Sequence, residues 1–316
     1  MTFSQEVKNE VLKSLKNIKG CCASTFLTAV LKAIGSLTLE FRKFSFTIDS
    51  DNHEFLSTCK SLSAKHLGCN AEIESSNVNV KGEPIYSCNF EDNLGDKLGL
   101  TSHADDTFVL SGDVTSLIPK NDCCKRAFVQ GLFLSAGSVV IPTDDIYDDD
   151  NKNPAKYHLE LRFADLQFAS AVQQAFEDLN LKLLQRKNHV VLYLKDSEKI
   201  ADFLAYISAT RCRLKLDNII AGRSMRNKIN RQNNCSVANI DKTVAAAQKQ
   251  LQAIALLKHK GIFNNLPAPL KEVAEMREQN HEATLDEIAA KLQISKSGAN
   301  HRFAKLIELA NTEENK

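Results

Sequence analysis

Three groups of residues in this chain have types and spacings that could do chemistry. Two pairs of adjacent cysteines, Cys21-Cys22 and Cys123-Cys124, offer metal ligands. An acidic run, TDDIYDDDNKNP at 143–154, offers oxygen ligands. Ser297, Asn300 and His301, with Lys296, Arg302 and Lys305 beside them, offer contacts to a nucleic acid. The first two groups weaken on inspection. Adjacent residues on a helix point about 100° apart, so one cysteine pair is a poor chelate, and it lacks the CxxC spacing of zinc sites. Each pair reads as small buried thiols near a helix start. In the acidic run Asp149, Asn151, Asn153 and Glu160 fall at EF-hand ligand positions, but Pro154 takes the place of the required glycine and a strand pattern follows, which leaves a solvated loop. No metal and no cofactor is expected.

The third group depends on the helices that carry it. Thr284-Leu-Asp-Glu287 is a capping box opening a short helix with Leu285, Ile288, Ala289 and Leu292 on one face. Gln293-Ile294 then turns the chain to Ser295, a second N-cap, and to a helix whose core stripe is Ala299, Phe303, Leu306 and Ala310. Around that helix Ser297, Asn300, His301, Ala304 and Lys305 fall away from the stripe, while Lys296 and Arg302 flank it. Short polar groups near a helix N-terminus reach base edges, basic groups beside them hold phosphates, and no carboxylate occurs from Ser295 to Ile307. The pattern at about 284–310 is that of a helix-turn-helix. Any amphipathic helix pair with a polar outer face shares it, so packing alone remains the rival reading. Gly298 has two readings as well, close approach to a groove or tight packing.

The segments before this motif supply charge and length. Eleven basic residues against two acidic ones give +9 over 211–260, against −2 over 261–316 and −6 over 1–210, although the whole chain nets only +1. The stretch 211–235 is expected to be a basic linker of short helices and loop, with Arg223, Arg226, Lys228 and Arg231 as phosphate contacts; a merely soluble hinge is the alternative. Ser236 caps a helix to about Lys260 whose Val237, Ile240, Val244, Ala247, Leu251 and Ile254 keep heptad spacing. Three heptads are short for an independent coiled coil, so packing within the chain is favoured over dimerisation, and monomer against dimer stays open. Gly261 ends this helix and Pro269 lies in the first turn of the next, completing a helical domain at 236–316.

The first 210 residues hold an internal repeat at an offset of 102. Cys21 to Leu37 reads CCASTFLTAVLKAIGSL and Cys123 to Val139 reads CCKRAFVQGLFLSAGSV, with a Cys pair, a Phe (Phe26, Phe128) and Gly-Ser in register. Alternating strand patterns and a helical stretch follow each copy, so the halves, about 21–110 and 123–208, each read helix, two strands, helix, two strands, helix. This arrangement resembles the LAGLIDADG homing-endonuclease fold, in which two such helices pack along a pseudo-twofold axis and small residues, here Gly35, Gly131, Gly137, Ala29 and Ala33, allow close approach. In active members an acid precedes the last glycine and binds the divalent metal. Ile34 and Ala136 stand there, and the outward Glu40, Asp49 and Glu160 would repel phosphate, so no nuclease activity is expected and the protein is read as not an enzyme.

The class is therefore α+β: a duplicated LAGLIDADG homing-endonuclease-like αββαββα domain followed by an all-α helix-turn-helix domain. That combination, with SQEVKNEVL (Ser4–Leu12), the CCKRAF and AGS block, YHLEL, NRQNNCSVANIDKTV (Asn230–Val244) and ISKSGANHR (Ile294–Arg302), resembles the WhiA family of bacterial regulators over nearly the whole chain. The long acidic loop at 143–154 is a departure. The resemblance implies a sequence-specific DNA-binding transcription regulator acting in cell division and chromosome segregation, and in sporulation where bacteria sporulate. It also implies a first domain that has lost nuclease activity and binds something else. Double-stranded DNA is the expected partner, with Ser297, Asn300 and His301 reading bases. Lys296, Arg302 and Lys305, helped by Arg223, Arg226, Lys228 and Arg231, hold phosphates. A protein co-regulator would use the first domain. The rival classes are a protein-docking scaffold of the nucleoid or division machinery, and a metal-dependent endonuclease.

Free thiols are the reading for nine cysteines, an odd number. No apolar run reaches the ~18 residues of a membrane span, and residues 1–20 lack a signal-peptide core, so the expected location is cytoplasmic and nucleoid-associated.

Overall fold

The computed structural model describes the chain apart from residues 41–42, 79–81, 83, 92, 105–106, 111–114, 143–155 and 315–316. The acidic loop at 143–154 and the side chain of Glu40 thus lie outside the described residues. Two compact units are present, Met1–Gly222 and Arg223–Lys316.

In the first unit α1 (Phe3–Ser14) precedes the first copy of the repeat: α2 (Gly20–Ile34), β1 (Ser36–Glu40), β2 (Lys43–Ser50), α3 (His53–Leu67), β3 (Ala71–Val78), β4 (Pro84–Phe90) and the short α4 (Leu94–Lys97). A hairpin, β5 (Thr101–Ala104) and β6 (Thr107–Leu110), leads to the second copy: α5 (Asp122–Ala136), β7 (Gly137–Val140), β8 (His158–Phe163), α6 (Leu166–Ala175), β9 (Lys182–Gln185), β10 (Val190–Leu194) and α7 (Ser197–Tyr206). The two four-stranded sheets have equivalent orders, β1-β2-β4-β3 and β7-β8-β10-β9, with every pairing antiparallel. The expected α+β duplication is therefore present element by element.

Strand alternation explains the layering. Phe46, Ile48, Cys88 and Phe90 in one sheet, and Leu159, Leu161, Phe163, Leu192 and Leu194 in the other, are buried in one continuous core with α2, α5 and the outer helices. The strongest constraint in that core is the contact between α2 and α5. A Cβ added to Gly131 would lie 2.7 Å from the Phe26 carbonyl oxygen and 3.0 Å from Ala29 Cβ, so the helices meet nearly backbone to backbone. Ala29 and Gly131 are equivalent under the 102-residue offset, which puts the contact on the local symmetry axis. Gly35 and Gly137 serve a different purpose from the helix-to-helix approach expected of them. Both end their helices in extended conformation, and a Cβ there would meet the preceding turn of the same helix, at Leu31 and at Phe133.

The expectation for 211–235 is corrected: a single helix, α8 (Thr210–His259), runs through it without a loop. The asparagines that suggested breaks are exposed along this helix, where their low helix propensity costs only a few tenths of a kcal/mol each. Its start is anchored. The Glu10 carboxylate of α1 accepts hydrogen bonds from the backbone N–H of Arg211 (2.7 Å) and Cys212 (3.0 Å), satisfying two donors that a helix N-terminus leaves open, and Lys215 pairs with Glu6 at 2.8 Å. The seam divides. Ala247 and Ile254 are buried, whereas Val237, Ile240 and Val244 are each about half or more exposed.

In the second unit α9 (Ala268–Gln279), α10 (Leu285–Lys291) and α11 (Lys296–Glu314) pack on the end of α8 around Ile254, Leu257, Phe263, Val273, Ile288, Phe303 and Leu306. Gly261, at φ +71°, ends α8 in the left-handed conformation that favours glycine, as expected.

The α2–α5 contact yields a direct test. Gly131→Ala must push a methyl into the Phe26 carbonyl and is expected to cost about 1–3 kcal/mol. Gly222→Ala, in α8 with open space around the added Cβ, should be neutral or stabilise by up to about 1 kcal/mol. Urea denaturation of the two full-length variants checks the pair.

Candidate nucleic-acid interface

The helix-turn-helix is built by local capping. The Thr284 side chain accepts from Glu287 N (3.3 Å) while the Glu287 carboxylate accepts from Thr284 N (2.7 Å), the reciprocal box read from the sequence. Hydrogen bonds from the Thr284 backbone and hydroxyl hold the Glu287 carboxyl below its ordinary value. Gln293, at φ +53°, makes the turn, and Ile294 N returns to Ala289 O at 3.0 Å. Ser295 Oγ accepts from Gly298 N at 3.1 Å to open α11.

Ala299, Phe303, Leu306 and Ala310 of α11 are all buried, so the stripe sits where its spacing puts it. Ser297, Asn300, His301 and Lys305 are exposed, Lys296 is exposed at the helix start, and Arg302 is half-buried. An added Cβ at Gly298 would meet only Ser295 Oγ, at 3.2 Å, so tight packing within the chain does not account for the glycine.

Sequence reasoning missed what orients α11. Arg277 of α9 is 2% exposed, a buried cation amid apolar side chains. Its Nε donates to Gln250 Oε1 of α8 at 2.8 Å, its Nη1 donates to the Ala283 carbonyl just before α10, and its guanidinium lies 5.3 Å over the Phe303 ring of α11. One side chain thus ties all four helices. Burial pulls its pKa below the ordinary arginine value, yet guanidinium stays charged throughout the physiological range. The missing signal was contextual, because a lone Arg in a polar helix stretch looks like any solvated residue.

A second correction concerns charge beside α11. Its first three turns contain no carboxylate, but the fold brings two from other helices, Asp286 at 2.6 Å from Lys296 and Glu272 at 3.8 Å from Arg302, and Glu308 on α11 itself pairs with Lys305 at 2.9 Å. Between Arg223 and Arg231, Arg226, Lys228 and Arg231 are exposed on α8 and Arg223 is half-buried.

The first unit presents a different surface. Asp49, Glu72 and Glu74 lie exposed on the outward face of the first sheet, linked across the strands through Ser87 and Asn89, and Ser87 Oγ donates to Asp49 Oδ1 at 2.6 Å. On the second sheet Glu160 pairs with Arg162 (2.6 Å) and His158 (3.2 Å). The residues that would carry nuclease acids, Ile34 and Ala136, are the last residues of α2 and α5.

At the opposite ends of those helices the two cysteine pairs come together, Cys22 and Cys124 buried as read and Cys21 and Cys123 exposed. Sγ atoms of Cys21, Cys22, Cys123 and Cys124 all lie within 4.8 Å of one another. Each pair judged alone is a poor chelate, but the local twofold axis places the two side by side. The 102-residue offset, applied to the cysteines themselves, was the signal that could have found the cluster. Burial, then hydrogen bonding with Cys123, pushes the Cys22 thiol up to about 12, while bonds from Cys22 and Cys124 hold Cys123 below its ordinary value.

Comparison with known proteins covers both units. One family model, described as the WhiA LAGLIDADG-like domain, matches residues 125–226, and another, described as the WhiA C-terminal HTH domain, matches residues 229–310. Two relatives named probable cell division protein WhiA are similar along almost their full length. That of Macrococcus caseolyticus is 31% identical over 98% of this chain and 96% of its own, and that of Clostridium acetobutylicum is 34% identical over 98% of each. A crystal structure of full-length WhiA from Thermotoga maritima matches at a TM-score of 0.58 and 24% identity, covering 99% of both chains, a likeness of fold.

Arg277 carries the prediction of this section. Arg277→Met keeps much of the volume but leaves Gln250 and the Ala283 carbonyl unpartnered, and is expected to cost about 2–4 kcal/mol. In hydrogen exchange, amides of α9, α10 and α11 should lose protection while those of α2 and α5 keep theirs.

Proposed function

The chain belongs to the WhiA family, and on that premise we propose that it is a sequence-specific, double-stranded-DNA-binding regulator of cell division, with α11 as its reading helix. The observation that carries the reading is the exposed Ser297, Asn300 and His301 on the N-terminal turns of a helix whose opposite face is wholly buried. Side chains of that kind at that place reach base edges in the major groove. Lys296, Arg302 and Lys305 exchange their exposed carboxylate partners for phosphates, and Arg223, Arg226, Lys228 and Arg231 add charge that does not depend on sequence.

The finer reading is regulation of transcription, coupled to chromosome segregation, and to sporulation where the host sporulates. We propose a cytoplasmic, nucleoid-associated location; no helix among the described residues is long and apolar enough to cross a membrane. We propose no nuclease activity, a reading supported by an isoleucine and an alanine at the ends of α2 and α5, neither of which can bind Mg²⁺. The acidic face around Asp49, Glu72 and Glu74 favours a second partner on the first unit, a protein co-regulator with a basic surface, over phosphate.

Binding of the full chain to a selected operator duplex and to random duplex, across a salt series, tests the division of labour. Asn300→Ala is expected to lose about 1–3 kcal/mol on the operator and little on random DNA. Lys228→Ala with Arg231→Ala should weaken both alike and flatten the salt slope by about one unit per residue removed. With Mg²⁺ added, the DNA should stay uncut. Equal effects of both changes on both duplexes, or cleavage, would overturn the proposal.

A further inference from the structure

We propose that Cys21, Cys22, Cys123 and Cys124 form a tetrathiolate site for a single zinc ion on the local twofold axis of the first unit. The Sγ atoms stand 4.0 Å apart within the first pair and 3.9 Å within the second, and all four lie within 4.8 Å of each other. A tetrahedral zinc with Zn–S bonds of about 2.3 Å sets its sulfurs about 3.8 Å apart. The cluster already has that size, and side-chain rotation closes the remainder. A multi-iron cluster would hold the same thiolates further apart, because several irons and bridging sulfides would lie between them. An all-sulfur set also excludes hard cations such as Mg²⁺ and Ca²⁺, which take oxygen ligands.

A disulfide within either pair is disfavoured by geometry. Neighbouring Cα atoms are about 3.8 Å apart, short of the usual range of about 4.4–6.8 Å across a disulfide. All nine thiols are free in the structure.

The surroundings favour a bound anion–cation assembly at this place. Cys21 and Cys22 lie in the first turn of α2, and Cys123 and Cys124 in the first turn of α5. There the backbone N–H groups lack partners within the helix and the helix dipoles are positive. Two such ends brought together repel. Four thiolates around one Zn²⁺ carry a net charge of −2, which offsets that repulsion and places thiolate sulfurs next to open N–H donors. Cys22 and Cys124 are buried, while Cys21 and Cys123 are exposed and leave a path for the metal. With four protein ligands no coordination position remains for water or substrate, so the site is structural: it clamps the starts of α2 and α5 to each other. The ends of the same helices, at Ile34 and Ala136, take no part.

The test is metal analysis of the full chain, purified under reducing conditions, followed by replacement with Co²⁺. The expected result is one zinc per chain and, with Co²⁺, the visible d–d absorption of a tetrahedral tetrathiolate complex. Cys22→Ser with Cys124→Ser should lose both, whereas Cys235→Ser, on the exposed stretch of α8, should keep both. Circular dichroism establishes that the variants are folded; should the double variant not fold, Co²⁺ titration of the unaltered chain decides alone. The proposal is overturned by a metal-free chain that takes up no Co²⁺ with this spectrum, by disulfides crossing between the two pairs in the freshly isolated protein, or by full zinc retention in the folded double variant.

Discussion

The near-contact of two helix backbones at Ala29 and Gly131 is the constraint on which the first unit rests. Helices ordinarily keep their axes about 8–10 Å apart because side chains intervene. Here one partner has no side chain at the crossing and the other has only a methyl group, so a Cβ at Gly131 would nearly touch the Phe26 carbonyl oxygen. Everything else in the duplicated domain is arranged around that axis. Phe26 and Phe128, equivalent by the repeat, are fully buried on either side of it, and each helix runs directly into the first strand of its own sheet. Symmetry has a chemical consequence: any residue near the axis meets its own counterpart. Two thiols become four at one end of the helices. At the other end two apolar side chains stand where a nuclease would bring two carboxylates together.

Capping and a single buried charge do comparable work in the second unit. Thr284 and Ser295 fix where α10 and α11 begin, and therefore which residues occupy the first turns of the proposed reading helix. Arg277 fixes how α11 lies against α8, α9 and the start of α10, since its planar donors reach both neighbours at once and its face covers Phe303. A hydrophobic side chain there would fill space without specifying orientation. A reading helix needs orientation, because bidentate contact to a base edge fails with small rotations.

What was legible in the sequence was what is local or repeated. The duplication, the strand alternation from Leu159 to Phe163, the Thr284 capping box, the Gly261 stop and the buried stripe of α11 all follow from patterns within one element or from comparison of the chain with itself. What escaped depends on contacts between elements distant in sequence. Nothing within α9 marks Arg277 as buried. The helix through 211–235 is rich in asparagine, but its start is held by Glu10, about two hundred residues earlier, and no local propensity records that anchor. The cysteine cluster lay between these cases, visible only when the repeat was applied to ligands as well as to elements. The polar face of α11 was legible, and so was Glu308 three residues after Lys305, but Asp286 and Glu272 were not, because they come from other helices.

Those carboxylates bear on how the proposed reading helix would discriminate. Exposed ion pairs are worth about 0–1 kcal/mol each, so Lys296 and Lys305 can leave Asp286 and Glu308 for a phosphate at small cost. The carboxylates they leave remain near the duplex and repel it. Phosphate attraction is common to every sequence, so a reading face that carries its own acids weakens binding everywhere by a similar amount. In the proposed reading, contacts from Asn300, Ser297 and His301 to base edges would then carry the discrimination. A penalty common to every sequence lowers the affinity for matched and unmatched DNA alike and leaves the choice among sequences to those contacts. In a chain whose net charge is only +1, the exposed cations of α8 would, on the same proposal, supply attraction to any duplex without adding to the choice among sequences.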